Sequence, residues 1–127
     1  MNTSRPNQTN QIINVVISQT ALTSASFKES IDLALVCAAF DQTVNIIFID
    51  NGVYNIVQNQ SYQELNDKNH LDILKGLEFY DIDNIYAEIE SLDRRNITSE
   101  NIINLCQTLT SVEIKKLYFQ ANHVVNI

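Results

Sequence analysis

The run Val44 to Ile49 (VNIIFI), interrupted only by Asn45, has the length of a strand and is apolar on both of a strand's faces. Such a strand belongs to a parallel sheet with helices on both sides, whereas a half-solvated antiparallel strand alternates. Ile12 to Ile17 (IINVVI) is a second run of strand length, rich in β-branched residues. Together they direct the chain to a layered α/β fold, and 127 residues is the size of one such domain.

The segments around these strands fit that scheme. Residues 1–11 are polar and without periodicity, and are expected to be a disordered tail ahead of a domain spanning 12–127. Ser26-Phe27-Lys28-Glu29 reads as a capping box opening a helix over 26–41, whose Phe27, Ile31, Ala34, Leu35 and Ala38 form the sheet-facing stripe. Residues 33–40 (LALVCAAF) are apolar all round, so Leu33, Val36, Cys37 and Phe40 occupy a face that would otherwise meet water. This predicts a subunit interface.

After the second strand, Asp50-Asn51-Gly52 reads as a turn with Gly52 at positive φ. It places the loop Asp50, Asn51, Gly52, Val53 and Tyr54 at the carboxyl end of that strand, the ligand-facing edge of open α/β sheets. Asp67 is a cap for a short helix reaching Phe79, Asn84 to Ile89 alternates as a strand, and Asp93 to Asn96 turns the chain. Ile102 to Cys106 fits either a strand or a helical turn capped by Thr98 or Ser99, with the strand preferred. Thr110-Ser111-Val112-Glu113 is a second capping box, its helix carrying Ile114, Leu117, Tyr118 and Ala121 as a stripe, and His123 to Ile127 is a last strand. The expected fold is a single-domain three-layer α/β structure, flavodoxin-like in outline, with a mainly parallel sheet of about five strands.

Several functions are disfavoured. Fifteen acidic against eight basic residues, a net charge of −7, oppose direct binding of nucleic acid. No apolar run is long enough to span a bilayer and residues 1–11 lack the apolar core of a secretory signal, so a cytoplasmic protein is expected. The loop after the first strand, Ser18 to Ala25, contains no glycine to admit a pyrophosphate. Its Ser18-Gln19-Thr20 start also lacks the carboxylates a phosphoacceptor site at Asp50 would need. His70 and His123 stand in no triad or metal spacing, and neither a metal nor a cofactor is expected. Arg94-Arg95 reads as a solvated turn. Of the two thiols, Cys37 reads as packing in an apolar helix, and Cys106, near a strand end, is the candidate for a reactive one, although no cation adjoins it.

Asp50-Asn51-Gly52-Val53-Tyr54 resembles the D-G-V-[YF] loop of DsrE/DsrF-like sulfur-relay proteins. Leu77-Glu78-Phe79-Tyr80-Asp81-Ile82 is similar to their L-x-x-Y-D-I stretch, and Ser91-Leu92-Asp93-Arg94-Arg95-Asn96 to their S-L-x-x-R-G turn. The order and spacing of these motifs resemble the TusC/DsrF subgroup most, over residues 12–127. The resemblance implies a cytoplasmic hetero-oligomer with TusB/DsrH-like and TusD/DsrE-like subunits, or a homo-oligomer if these are absent. It implies persulfide relay toward 2-thiolation of the tRNA wobble uridine, or a role in sulfur oxidation. In the TusD/DsrE-like subunit the relay cysteine precedes the arginine turn, and the comparable Tyr86-Ala87-Glu88 contains no thiol. A non-catalytic subunit is therefore expected, with sulfur carriage by Cys106 as the alternative.

Overall fold

The structure, a computed structural model, describes residues 10–58 and 69–127. β1 (Ile12–Ile17) and β2 (Thr43–Phe48) pair in parallel from Ile12↔Thr43 to Ile17↔Phe48. With β3 (Asn84–Glu88), β4 (Gln107–Leu109) and β5 (His123–Asn126) they form one all-parallel five-stranded sheet of order β4-β3-β2-β1-β5. The two apolar runs are thus interior strands, β2 at the centre and β1 beside it, as burial on both faces requires.

Side chains leave these strands alternately toward two layers. Ile13, Val15 and Ile17 join Val44, Ile46 and Phe48 in the larger core, against Phe27, Ile31 and Ala34 of α1 (Ser26–Ala39). Leu71 and Leu74 of α2 (Asn69–Gly76), and Leu77 of a 3-10 turn over Leu77–Tyr80, complete that layer. On the other face Val16 and Ile47 pack against Ile114 of α4 (Ser111–Gln120), with Tyr86, Leu109, Leu117 and Tyr118 around them. This face also holds a buried polar pair: Asn45 Nδ2 donates to Asn14 Oδ1 at 2.9 Å, and Asn14 Nδ2 donates to the Leu117 carbonyl at 2.9 Å.

Four local readings need correction. The expected Ser26/Glu29 box does not form: the helix is preceded by Ala25, itself in helical conformation, and the Ser26 N–H is met by Ser24 Oγ at 3.0 Å. Ile102 to Cys106 is not a strand. It is an irregular buried segment, joined to the rest by the Val57↔Ile102 bridge and by Ile103 N donating to the Ile56 carbonyl, and β4 begins only at Gln107. Ile89 leaves the sheet to open a short helix, α3 (Ile89–Arg94), which absorbs much of the expected Asp93–Asn96 turn; Asn96 closes it at φ 54°. Asp50–Ile56 is a 3-10 helix whose positive φ falls on Asp50 (50°), not on Gly52. The second box is present: Thr110 Oγ1 accepts from Glu113 N, and the Glu113 carboxylate accepts from Thr110 N. The Asp67 cap and residues 1–9 of the expected tail lie outside the described residues; Asn10 is tied down, its Nδ2 donating to the Asp41 carbonyl at 2.6 Å.

Candidate functional site

The carboxyl-terminal edge of the sheet gathers the ends of β1, β2 and β3. Gly52 is needed there because of proximity: a Cβ on it would sit 2.0 Å from the Ile17 carbonyl oxygen. The 3-10 helix over Asp50–Ile56 is therefore pressed against the end of β1. Asn55, almost fully buried, fastens the same segment to the preceding loop, accepting from Ala21 N at 2.8 Å and donating to the Gln19 carbonyl at 2.9 Å. Two of the loop hydroxyls serve turns, Thr20 Oγ1 accepting from Leu22 N and Ser24 Oγ from Ser26 N, whereas Ser18 Oγ donates to Asn126 Oδ1 of β5.

A second set of bonds joins this helix to the arginine turn. Ser91 Oγ accepts from the Asp50 N–H at 2.8 Å and donates to the Glu88 carboxylate at the end of β3. Arg95 directs Nε and Nη2 to Asn51 Oδ1 at 3.1 and 3.0 Å, gives Nη1 to the Ser91 carbonyl at 3.1 Å, and stands 6.0 Å over the Tyr54 ring. The Asp50 backbone, held at φ 50°, is thus fixed from below by Gly52 and from the side by Ser91. Half-buried Tyr118 of α4 reaches the same edge; burial first, and then the charges of Glu88 and Asp50, push its phenol above the ordinary value.

Among the residues expected from the sequence, Asp50 and Asn51 are exposed and Tyr54 is half-buried, while Gly52 and Val53 are buried, Val53 completely. Val53 is therefore core and supports the loop from beneath. On α1, Val36 and Phe40 are exposed and Leu33 and Cys37 half-buried. This face stands on the large-core side of the sheet, and its last turn lies at the opposite edge from Asp50, since α1 ends where β2 begins. Glu88 and Ser91 had no assigned role in the sequence, and Arg95, expected in a solvated turn with Arg94, instead follows the last residue of α3 and is bonded to Asn51 and to the Ser91 carbonyl. Ser91 and Arg95 do belong to the recognised turn motif, but their union with Asp50 and Asn51 crosses more than forty positions and needs the fold.

Both thiols lie away from this edge. Cys37 is in the last turns of α1, where its carbonyl accepts from Gln42 N just before β2 starts. Cys106 immediately precedes β4, so it sits at the amino-terminal side of the sheet and not at the ligand-facing end. It is 9% exposed, and burial pushes its thiol up to about 12. At pH 8 the thiol is therefore held in its protonated form in the folded protein. Iodoacetamide at that pH is expected to spare Cys106 until denaturant is added; rapid native labelling of Cys106, read by peptide mass, would contradict its burial. The raised value also fixes a sign: the folded state keeps the proton longer than the unfolded chain. The stability so contributed is complete below about pH 9 and is lost as pH rises toward about 12.

Among the described residues no group of His, Cys, Asp and Glu is arranged to hold a metal ion, and no helix is long and apolar enough to cross a membrane. What the edge offers chemically is a rigid polar surface of Asp50, Asn51, Tyr54 and Arg95, with a carboxylate, Glu88, at the end of the third strand.

Residues 11–127 match the model of the DsrE/DsrF-like family. The chain is 28% identical to a TusC homolog of Pasteurella multocida over 112 residues, 87% of this chain and 94% of that protein. It is 31% identical over 77 residues to the intracellular sulfur oxidation protein DsrF of Allochromatium vinosum, covering 61% of this chain and 57% of the relative. The crystal structure of the ychN protein of E. coli shares the fold, with a TM-score of 0.76 and 17% identity over 94% of this chain and all of that one.

Proposed function

The chain belongs to the DsrE/DsrF-like family, and from that premise we propose that it is a non-catalytic subunit of a cytoplasmic sulfur-relay complex. The observation that carries this reading is the placement of its thiols. Relay needs a thiolate that attacks, holds and releases sulfur. Here Cys37 and Cys106 lie at the amino-terminal side of the sheet, Cys106 is buried and held protonated, and the end of β3 carries Glu88. The alternative, in which Cys106 itself carries sulfur, has the burial of that thiol against it.

In this reading the partners are TusB/DsrH-like and TusD/DsrE-like subunits. The contact surfaces are the α1 face of Leu33, Val36, Cys37 and Phe40 and the loop residues Asp50, Asn51 and Tyr54, which Gly52 and Val53 hold in place. Similarity to TusC homologs favours delivery toward the wobble uridine of tRNA; similarity to DsrF keeps sulfur oxidation as the second reading.

The test is reconstitution with a persulfide donor and the two partner subunits. Intact mass should show no sulfur gained by this chain, and a Cys37→Ser/Cys106→Ser variant should support transfer as well as the parent. Omitting the chain should abolish transfer. A sulfur adduct on this chain that disappears in Cys106→Ser would overturn the proposal. Loss of wobble 2-thiouridine in cells lacking the chain would assign the tRNA branch, and its retention with impaired sulfur oxidation the other.

A further inference from the structure

Of the chain's two glycines, Gly52 directly follows an asparagine, Asn51. Such a pair is reactive in an open chain, because a glycine nitrogen has no neighbouring side chain to hinder its attack on the asparagine amide. The Gly52 nitrogen gives up its proton to base and its electron pair bonds Asn51 Cγ. The Cγ–Nδ2 bond then breaks, and ammonia leaves with a proton in exchange for the one the glycine lost. Water opens the resulting succinimide at one carbonyl to give aspartate, or at the other to give isoaspartate. Water is the only co-reactant and nothing is oxidised or reduced.

The fold opposes this reaction. Gly52 N donates to the Ile49 carbonyl at 2.8 Å, in the first turn of the 3-10 helix over Asp50–Ile56. Closing the ring requires the Asn51 ψ to leave the 3-10 range of about −20 to −30°. That swing moves Gly52, which sits where even a Cβ would come 2.0 Å from the Ile17 carbonyl oxygen. The carboxamide is held as well: Asn51 Oδ1 accepts from Arg95 Nε and Nη2 at 3.1 and 3.0 Å, and Arg95 Nη1 is anchored on the Ser91 carbonyl at 3.1 Å. Asn51 is nevertheless exposed, so base and water reach it once the helix opens.

We propose that Asn51 is a self-modifying site gated by the helix over Asp50–Ile56, with Arg95 as the positioning residue that keeps it closed. The reaction runs only through local opening of this segment. Its two products differ in consequence. Aspartate gives Arg95 a carboxylate in place of the amide oxygen and is accommodated. Isoaspartate inserts an extra carbon into the backbone just before Gly52, where the packing against Ile17 leaves no room, so a chain modified in this way cannot rebuild the helix. The site is thus an irreversible record of loop opening. Because the step is intramolecular and needs no enzyme at the loop, it is compatible with a partner lying there. The inference goes beyond the relay reading and is tested on this chain alone, so the failure of one leaves the other standing.

The parent, Arg95→Ala, Arg95→Lys and Asn14→Ala are incubated at neutral pH, with circular dichroism confirming that each is folded. The peptide containing residue 51 is followed by mass for exchange of amide for acid, and by isoaspartyl methylation for the isomer. The parent unfolded in urea supplies the intrinsic rate. The folded parent should react more slowly than the unfolded chain by about tenfold or more. Arg95→Ala should react about tenfold faster than the folded parent, and Arg95→Lys, which keeps a cation but loses the planar fork, should fall between them. Asn14→Ala, which weakens the core without touching the loop, should keep the parent's rate. The isoaspartate form, isolated and refolded, should melt below the parent. Equal rates in folded and unfolded parent, an Arg95→Ala variant no faster than the parent, Asn14→Ala accelerated as much as Arg95→Ala, or an isoaspartate form that melts with the parent would each overturn the proposal.

Discussion

Gly52→Ala is expected to destabilise the protein by about 3–5 kcal/mol and to lower its melting temperature by about 15 °C. The added methyl would stand 2.0 Å from the Ile17 carbonyl oxygen, 2.7 Å from its carbon and 3.2 Å from the Ser18 Cα. All three are backbone atoms of β1 and its exit, so no side-chain rotation relieves the clash. The Ile17 carbonyl also accepts from Ile49 N at 3.0 Å, and moving it would loosen the seam between β1 and β2. The other glycine supplies the control. A Cβ at Gly76 meets nothing within 4 Å, and its φ of −82° suits any L-residue. Gly76→Ala should therefore stabilise by about 0.5–1 kcal/mol. Thermal melts of the two variants side by side test the account, which fails if Gly52→Ala melts within a few degrees of the parent.

Asn14→Ala is expected to cost about 2–3 kcal/mol, a large effect for a side chain with no part in any site. Asn14 is completely buried and links three elements, accepting from Asn45 on β2 and donating to Leu117 on α4. Its removal orphans the Asn45 amide in a buried setting. The Leu117 carbonyl suffers less, because it still accepts from Ala121 N at 3.1 Å. Asn14→Ala/Asn45→Ala should then cost less than the sum of the single changes, with a coupling of about 1 kcal/mol. Strict additivity in a denaturant-melt cycle would show that the pair does not act as a unit.

The parts of the fold legible in the sequence were those set by burial on both faces of a strand or along one stripe of a helix. IINVVI and VNIIFI became the centre of the sheet, and Phe27, Ile31 and Ala34 became the inner side of α1. Cap chemistry was legible only in part. Two similar motifs were read as boxes, and only the one at Thr110 closes. There the backbone is extended (φ −71°, ψ 162°), whereas Ala25 is helical (φ −75°, ψ −7°) and leaves Ser26 already inside the helix. Ile102, Ile103 and Cys106 misled for another reason: they are buried, but burial in an irregular segment looks the same in sequence as burial in a strand. For the site, the loop motif and the arginine turn were both visible. Their joining through Ser91, Glu88 and Arg95 was not, because nothing local pairs Asp50 with Ser91 or Asn51 with Arg95.

The strand order has a consequence for the growing polypeptide. β1 is the first strand made and lies second from one edge, and its outer neighbour is β5, the last strand of the sheet. The closure is reciprocal: Ile12 N donates to Asn122 Oδ1, and Asn122 N to the Ile12 carbonyl, both at 2.8 Å. During translation, β1 can pair with β2 as soon as that strand emerges, but its other side stays bare until His123–Asn126 leaves the ribosome. For most of its synthesis the nascent chain therefore carries an unpaired, β-branched edge, the kind that recruits neighbouring strands into aggregates. A chain cut shortly before His123 would keep its buried core residues and lose the protection of that edge.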